Sequence, residues 1–256
     1  MTFNCGIGLI RVVSEINAPE IESHLKFGHM ARRLGFVKTR GTNEPQVVID
    51  DVKFTKNLNK VKANLMKSKK RVGVLISGNG SNLQALIDAT RDTSFGANAE
   101  VVIVLSNKSN AFGLQRAQSA DFISSANSRE AFDRALTDEL EKQKVDLVCL
   151  AGFMRILSEE FVRHWKGKLI NIHPSLLPKY PGLHAQKQAL HAKPRDTVSG
   201  CTVHYVDEGV DTGAIICQET VPIHHDDTEN TLSERIHKAE HYAFPYALRL
   251  LANESI

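Results

Sequence analysis

Arg71-Val72-Gly73-Val74-Leu75-Ile76-Ser77-Gly78-Asn79-Gly80-Ser81-Asn82 reads as a strand, a turn and the start of a helix in one short span. Val72–Ile76 is a continuous apolar run of the length of a strand buried on both faces. Gly78 and Gly80 let the backbone turn tightly and come close to a neighbour. Leu83, Leu86 and Ile87 then keep helical spacing. A strand that enters a helix through a glycine turn opens a βαβ unit, and the same alternation continues downstream.

Val101–Leu105 is a second buried-type strand, and 111–120 predicts a helix. Asn127-x-x-Glu130 is a capping-box variant that opens a helix running toward Gln143. Val145–Leu150 is a third strand, ended by Ala151-Gly152. Residues 159–165 form a short helix, 169–172 a fourth strand, and 184–191 a further helix. Residues 198–206 and 214–221 read as two more strands, with Asp207–Gly213 between them. Thr231-x-x-Glu234 is a capping box for a last helix that reaches Leu251. The class is therefore α/β: a Rossmann-like, mostly parallel sheet flanked by helices, with the closing strand pair as an antiparallel extension. No internal repeat or low-complexity tract interrupts it.

Upstream the character changes, which predicts two domains, 1–70 and 71–256. Phe3–Ile10 is apolar and Gly-spaced and reads as a strand. From Lys53 to Arg71 there are eight basic residues and no acidic one. Leu58, Val61 and Leu65 form one weak stripe there. Without aromatic interleaving this is a solvated, partly helical linker and no nucleic-acid surface.

An apolar fraction of 42% and a charged fraction of 24% are those of an ordinary globular chain. The net charge of +3 is too small to argue for nucleic acid. No apolar run is long enough for a membrane span, and the N-terminus lacks a secretory pattern. Cys5, Cys149, Cys201 and Cys217 are scattered without a CxxC pair, which fits a reducing cytoplasm. His224-His225-Asp226-Asp227 reads as a solvated loop, and no metal is expected.

Asn171-Ile172-His173-Pro174-Ser175 closes the fourth strand and leads into Leu177-Pro178-Lys179-Tyr180-Pro181-Gly182. Strand alternation puts Asn171 and His173 on one side. They would face a pocket at the strand's C-terminal edge, where open α/β sheets place their chemistry. Asn steadies a developing oxyanion and His moves a proton, a pairing suited to acyl transfer. The Ser77–Asn82 turn offers helix N–H groups to a phosphate, although Ser81 could instead be a plain N-cap. Leu83 stands where a dinucleotide fingerprint needs its third glycine, and no acidic residue ends the second strand. NAD is disfavoured.

Leu75–Asn82, Ala151–Leu157 (AGFMRIL), Asn171–Gly182 (NIHPSLLPKYPG) and Gly200–Asp211 (GCTVHYVDEGVD) together resemble the phosphoribosylglycinamide formyltransferases, folate-dependent enzymes of purine synthesis. The resemblance covers roughly residues 71–251. Folate enzymes that formylate initiator methionyl-tRNA, or hydrolyse formyl-folate, share the Asn–His–Asp centre. The Gly78–Asn82 loop resembles the ribonucleotide-binding version. Residues 1–13 resemble a segment near the end of aminoimidazole ribonucleotide synthetase, which precedes the formyltransferase in the trifunctional purine proteins of animals. The expected context is therefore a fusion to other purine-synthesis domains, cut within the preceding one. The competing readings are another folate-dependent formyltransferase or a formyl-folate hydrolase, and a cut chain that only binds a phosphorylated ligand or a partner.

The resemblance implies formyl transfer from 10-formyltetrahydrofolate, as cosubstrate, to the amine of glycinamide ribonucleotide, with no metal. It assigns Asn171, His173 and Asp211 as catalytic. Asp211 favours the imidazolium form of His173; Asp207 and Glu208 are rival acids. Gly80, Ser81, Asn82, His237, Lys238, Ala239 and Glu240 would hold the ribonucleotide. Arg129, Met154, Arg155, Ile156, Leu157 and Asn171 would border the folate, facing a loop of Asp207, Glu208, Gly209, Val210 and Asp211. His204 reads as structural, and His184 as a pocket-lining residue without a catalytic role. The segment between Ala120 and Ser128 is shorter than the family's, so an edge strand is expected to be shortened there. The chain stops soon after the last helix, where the family has a further tail, and reduced stability is expected.

Overall fold

The computed structural model divides into two units, Met1–Lys67 and Ser68–Ile256. It describes residues 2–4, 9–11, 68–117, 120–122, 128–194 and 196–253. In the first unit, Thr2–Asn4 and Leu9–Arg11 pair antiparallel, Thr2 opposite Arg11. The single strand expected over Phe3–Ile10 is thus two short ones, with Gly6 and Gly8, poor strand formers, between them. The linker stripe of Leu58, Val61 and Leu65 lies outside the described residues, as do Cys5 and Asn127.

The second unit runs β1 (Lys70–Ile76), α1 (Ser81–Arg91), β2 (Ala99–Ser106), a 3₁₀ turn (Phe112–Arg116), β3 (Ala120–Phe122), α2 (Arg129–Lys142), β4 (Leu147–Leu150), α3 (Glu159–His164), β5 (Leu169–His173), α4 (Ala185–His191), β6 (Val198–Tyr205), β7 (Ile215–Pro222) and α5 (Glu229–Asn253). These strands form one sheet in the order β3-β2-β1-β4-β5-β6-β7. β3, β2, β1, β4 and β5 are parallel, and β6 and β7 add antiparallel. The Rossmann-like sheet with an antiparallel extension is what the alternation predicted. The edge strand at Ala120–Phe122 is three residues long.

Two cores lie on opposite faces, as strand alternation requires. Val72, Val74 and Ile76 of β1 pack with Leu83, Leu86 and Ile87 of α1 and with Ile236, Phe244 and Leu248 of α5. Leu75, pointing the other way, packs with Phe132, Leu136 and Leu140 of α2 and with Phe161 and Trp165 near α3. Each fully buried side chain of this kind contributes roughly 1.5–3 kcal/mol. The paired faces therefore hold β1 and β4, whose carboxyl ends carry the loops of the site.

Three local expectations shift. The helix expected over 111–120 is only the 3₁₀ turn, because Gly113 donates to the Gly78 carbonyl and the chain is drawn against the glycine loop. α2 is capped by Ser128, whose side chain accepts from Ala131 N, and no capping box at Asn127 is needed. α5 begins before Thr231. Thr228 and Thr231 exchange backbone N–H to hydroxyl bonds of 3.0 and 3.2 Å, so the capping box is Thr228-x-x-Thr231.

Asp227 secures that entry. Its carboxylate takes two bonds from Arg235, at 2.7 and 2.8 Å, and one from His224 N at 2.7 Å. The Arg235 guanidinium holds the Asp227 carboxyl well below the usual carboxylate range, with burial opposing it. A lowered folded pKa gives stability that is full above the ordinary aspartate value, about 3.9, and fades as pH falls toward the lowered one. Asp227→Asn is therefore expected to lower the urea midpoint at pH 7. The gap to the parent should narrow as pH falls below about 4; a gap independent of pH would contradict this role.

Candidate active site

The parallel strands diverge from β1 in both directions, so the loops after β1 and β4 flank the crevice where such sheets bind ligands. Ser77 ties three of these loops together. Its hydroxyl donates to Asn107 Oδ1 at 2.7 Å, after β2, and accepts from Met154 N at 2.7 Å, after β4.

Gly80 is the N-cap of α1, with a left-handed φ of +76°. A side chain there would be strained, and a Cβ would also lie 2.8 Å from Gly113 Cα. Ser81 is therefore inside the helix, and no side chain caps this end. Arg116 braces the loop. Its guanidinium donates to the Asn79 carbonyl and to Asn79 Oδ1, both at 2.9 Å, and to Gln84 Oε1 at 3.3 Å. Asn82 Nδ2 donates to Glu240 Oε2 at 2.8 Å, which joins α1 to α5. Glu240 is buried, and burial pushes its carboxyl up, against the Asn82 bond. Asn82 Oδ1 is buried without a partner among the described residues. His237 and Lys238 are exposed on α5, whereas Ala239 packs in the core and presents no side chain to a ligand.

Asn171 and His173 do share one side of β5. His173 Nδ1 is 3.2 Å from Asp211 Oδ2, and its Nε2 is 2.8 Å from the Tyr180 carbonyl oxygen. Both neighbours are acceptors, so a ring with a proton on each nitrogen satisfies both. Asp211 Oδ2 also accepts from Gly182 N at 2.8 Å, in the Pro-Gly turn. Asp211 has φ +55°, a left-handed conformation that Asp tolerates better than most residues. Its loop is fixed by Asp207, whose Oδ1 accepts from Gly209 N and from the Thr212 hydroxyl. At Gly213 a Cβ would fall 1.7 Å from the Tyr205 carbonyl oxygen, so the loop can close against β6 only with glycine there. Asp207 thus shapes the loop, Glu208 reaches toward Arg163 at 3.9 Å, and Asp211 alone of the three acids meets His173.

The loops after β4, β5 and β6 carry exposed apolar side chains: Met154, Ile156, Leu183 and Val210 are each more than 70% exposed. The Arg155 guanidinium lies 4.1 Å over the Phe132 ring, and its Nε is buried without a partner among the described residues. Arg129, exposed, starts the same helix one turn before Phe132. Leu157 packs against the second core instead of the open rim. His184 is exposed at the N-cap of α4, φ +60°.

His204, read as structural, lies directly beside the cluster. It stands opposite Asn171 in the β5–β6 register, and its Nε2 is 3.3 Å from Asn171 Nδ2 and 3.6 Å from Asp211 Oδ1. Only the pairing of two distant strands reveals it. Ser77, Arg116 and the Tyr180 carbonyl act through loop contacts that no spacing encodes. His237 and His241 sit one helical turn apart on α5, a spacing used by metal sites, but no group of three ligands forms among the described residues.

The formyl transferase family pattern matches residues 70–248. The trifunctional purine biosynthetic protein adenosine-3 of Drosophila melanogaster is 53% identical over 259 residues, 98% of this chain. The chain spans only 19% of that relative's length. The phosphoribosylglycinamide formyltransferase of Escherichia coli strain K12 is 48% identical over 186 residues, covering 70% of this chain and 86% of that enzyme. Among solved structures, glycinamide ribonucleotide transformylase 1 from Symbiobacterium toebii superposes with a TM-score of 0.69 at 44% identity, over 73% of this chain and 89% of that one.

Proposed function

Because the chain belongs to the formyl transferase family, we propose that it transfers the formyl group of 10-formyltetrahydrofolate to the amine of glycinamide ribonucleotide, a step of purine synthesis. The observation that carries this reading is the meeting of Asn171, His173 and Asp211 at the carboxyl end of β5. The sheet that holds them also carries an uncapped helix start at Gly80–Asn82.

In the transfer, the amine nitrogen bonds to the formyl carbon, that carbon's bond to the folate nitrogen breaks, and one proton passes from the amine to the departing nitrogen. Asn171 supplies an N–H donor to the oxygen, where charge develops. His173 delivers or relays the proton, with Asp211 and the Tyr180 carbonyl holding its ring. Backbone N–H groups at Gly80–Asn82 receive the phosphate, and Glu240 accepts from ribose or amide donors. The exposed Met154, Ile156, Leu183 and Val210 offer apolar walls to a flat ring system. Arg129 and Arg155 offer positive charge to an acidic tail. No metal takes part in this scheme.

The chain would act as one part of a longer purine-synthesis protein, since it spans 19% of its trifunctional relative's length. A cytoplasmic site fits the free thiols Cys149, Cys201 and Cys217. Among the described residues no helix is long and apolar enough to cross a membrane.

Incubation with formyl-labelled folate, with and without glycinamide ribonucleotide, tests the reading. Label should enter the ribonucleotide; acceptor-independent release of formate would replace this function with hydrolysis. Arg116→Leu should raise KM for the ribonucleotide about 10- to 100-fold, the equivalent of hydrogen bonds from a charged group, and change kcat less. An unchanged KM would show that the glycine loop holds its shape without the brace.

A further inference from the structure

We propose that His204 is a positioning residue that fixes which end of the Asn171 carboxamide faces the reacting carbonyl. The inference rests on the reading above, in which Asn171 is the oxyanion donor. Asn171 and His204 are direct cross-strand partners, so their side chains meet on one face of the sheet. His204 Nδ1 lies 2.8 Å from the carbonyl oxygen of Tyr205. A carbonyl only accepts, so Nδ1 carries the ring proton, and in the neutral ring Nε2 is left as an acceptor.

Asn171 Nδ2 is 3.3 Å from that Nε2 and donates one of its two hydrogens to it. An amide can sit either way round in nearly the same shape. The reversed orientation would set Asn171 Oδ1 against the Nε2 lone pair. Lone pair against lone pair is unfavourable, so the neutral ring keeps the donor end in the site. The second Nδ2 hydrogen then remains for the substrate oxygen before any substrate arrives. Donors aimed in advance cost no reorganisation during reaction.

The neutral ring is itself secured. His204 is 2% exposed, and burial, the largest influence, holds its pKa below the ordinary histidine value against its hydrogen bond to the Tyr205 carbonyl and the pull of Asp211. His173 adds to the lowering and Asp207 opposes it.

The test is steady-state kinetics on His204→Leu, His204→Gln, Asn171→Ala and the double variant Asn171→Ala/His204→Leu, each with its urea midpoint. Leu removes the acceptor, whereas the Gln carbonyl can take the place of Nε2. His204→Leu should lower kcat about 10-fold or more and move both KM values less than about 3-fold. His204→Gln should recover most of the loss. In the Asn171→Ala background, His204→Leu should have no further effect, because there is no amide left to orient. Equal defects in Leu and Gln, or additive losses in the double variant, would mean that His204 only supports the fold. If His204→Leu does not fold, His204→Asn takes its place: its shorter amide can meet the Tyr205 carbonyl but not reach Asn171, so it should be slow where Gln is fast. Full turnover in Asn171→Ala would overturn the functional reading itself, a result distinct from failure of the His204 inference alone.

Discussion

Replacing His173 with alanine is expected to lower kcat about 10²- to 10⁴-fold, the usual contribution of a positioned proton donor or acceptor. Both KM values should change little. His173 is buried between Asp211 and the Tyr180 carbonyl. Its contribution thus falls on the step that moves a proton and not on binding. His173→Gln should be no better, since an amide donates from one end only, so it can satisfy one of these two acceptors and cannot carry a proton through the reaction. Single-turnover rates with both substrates saturating would check this; a rate within a few-fold of the parent would place the acid elsewhere.

Asn171→Ala is expected to cost about 10²- to 10³-fold in kcat, as loss of one oxyanion donor does. The donor is worth most in the transition state, where charge on the oxygen is greatest, so KM should again hold. Asn171→Asp separates shape from chemistry. Aspartate fills the same volume but offers no hydrogen and adds negative charge beside Asp211, which already lies 3.6 Å from His204. It should be at least as slow as alanine. A near-normal Asn171→Asp rate would mean that the oxygen is stabilised by other groups.

The sequence made the parallel part of the sheet legible because Val72–Ile76, Val101–Leu105 and Val145–Leu150 are unbroken apolar runs separated by helical spacing. The Asn171–His173 side followed from strand period alone. The choice of Asp211 over Asp207 and Glu208 needed the family resemblance. In the structure Asp207 accepts from Gly209 and Thr212, Glu208 points toward Arg163, and Asp211 meets His173. Capping was read correctly in kind but three residues late at α5, because Thr231 serves as the third residue of a box begun by Thr228. A helix was read at 111–120 because local pattern cannot show that Gly113 and Arg116 are drawn onto the glycine loop. His204 was missed for the same physical reason. Its partner Asn171 is remote in sequence and adjacent only through antiparallel register. Side chains committed by tertiary contacts leave no periodic mark.

A crystal structure of the chain with glycinamide ribonucleotide and an unreactive folate analogue tests the central claim most directly. The phosphate should lie on the Gly80–Asn82 N–H groups, and the amine should sit beside Asn171 and His173 with the folate ring between Met154, Ile156 and Val210. A phosphate bound away from α1, or an amine out of reach of both Asn171 and His173, would contradict it.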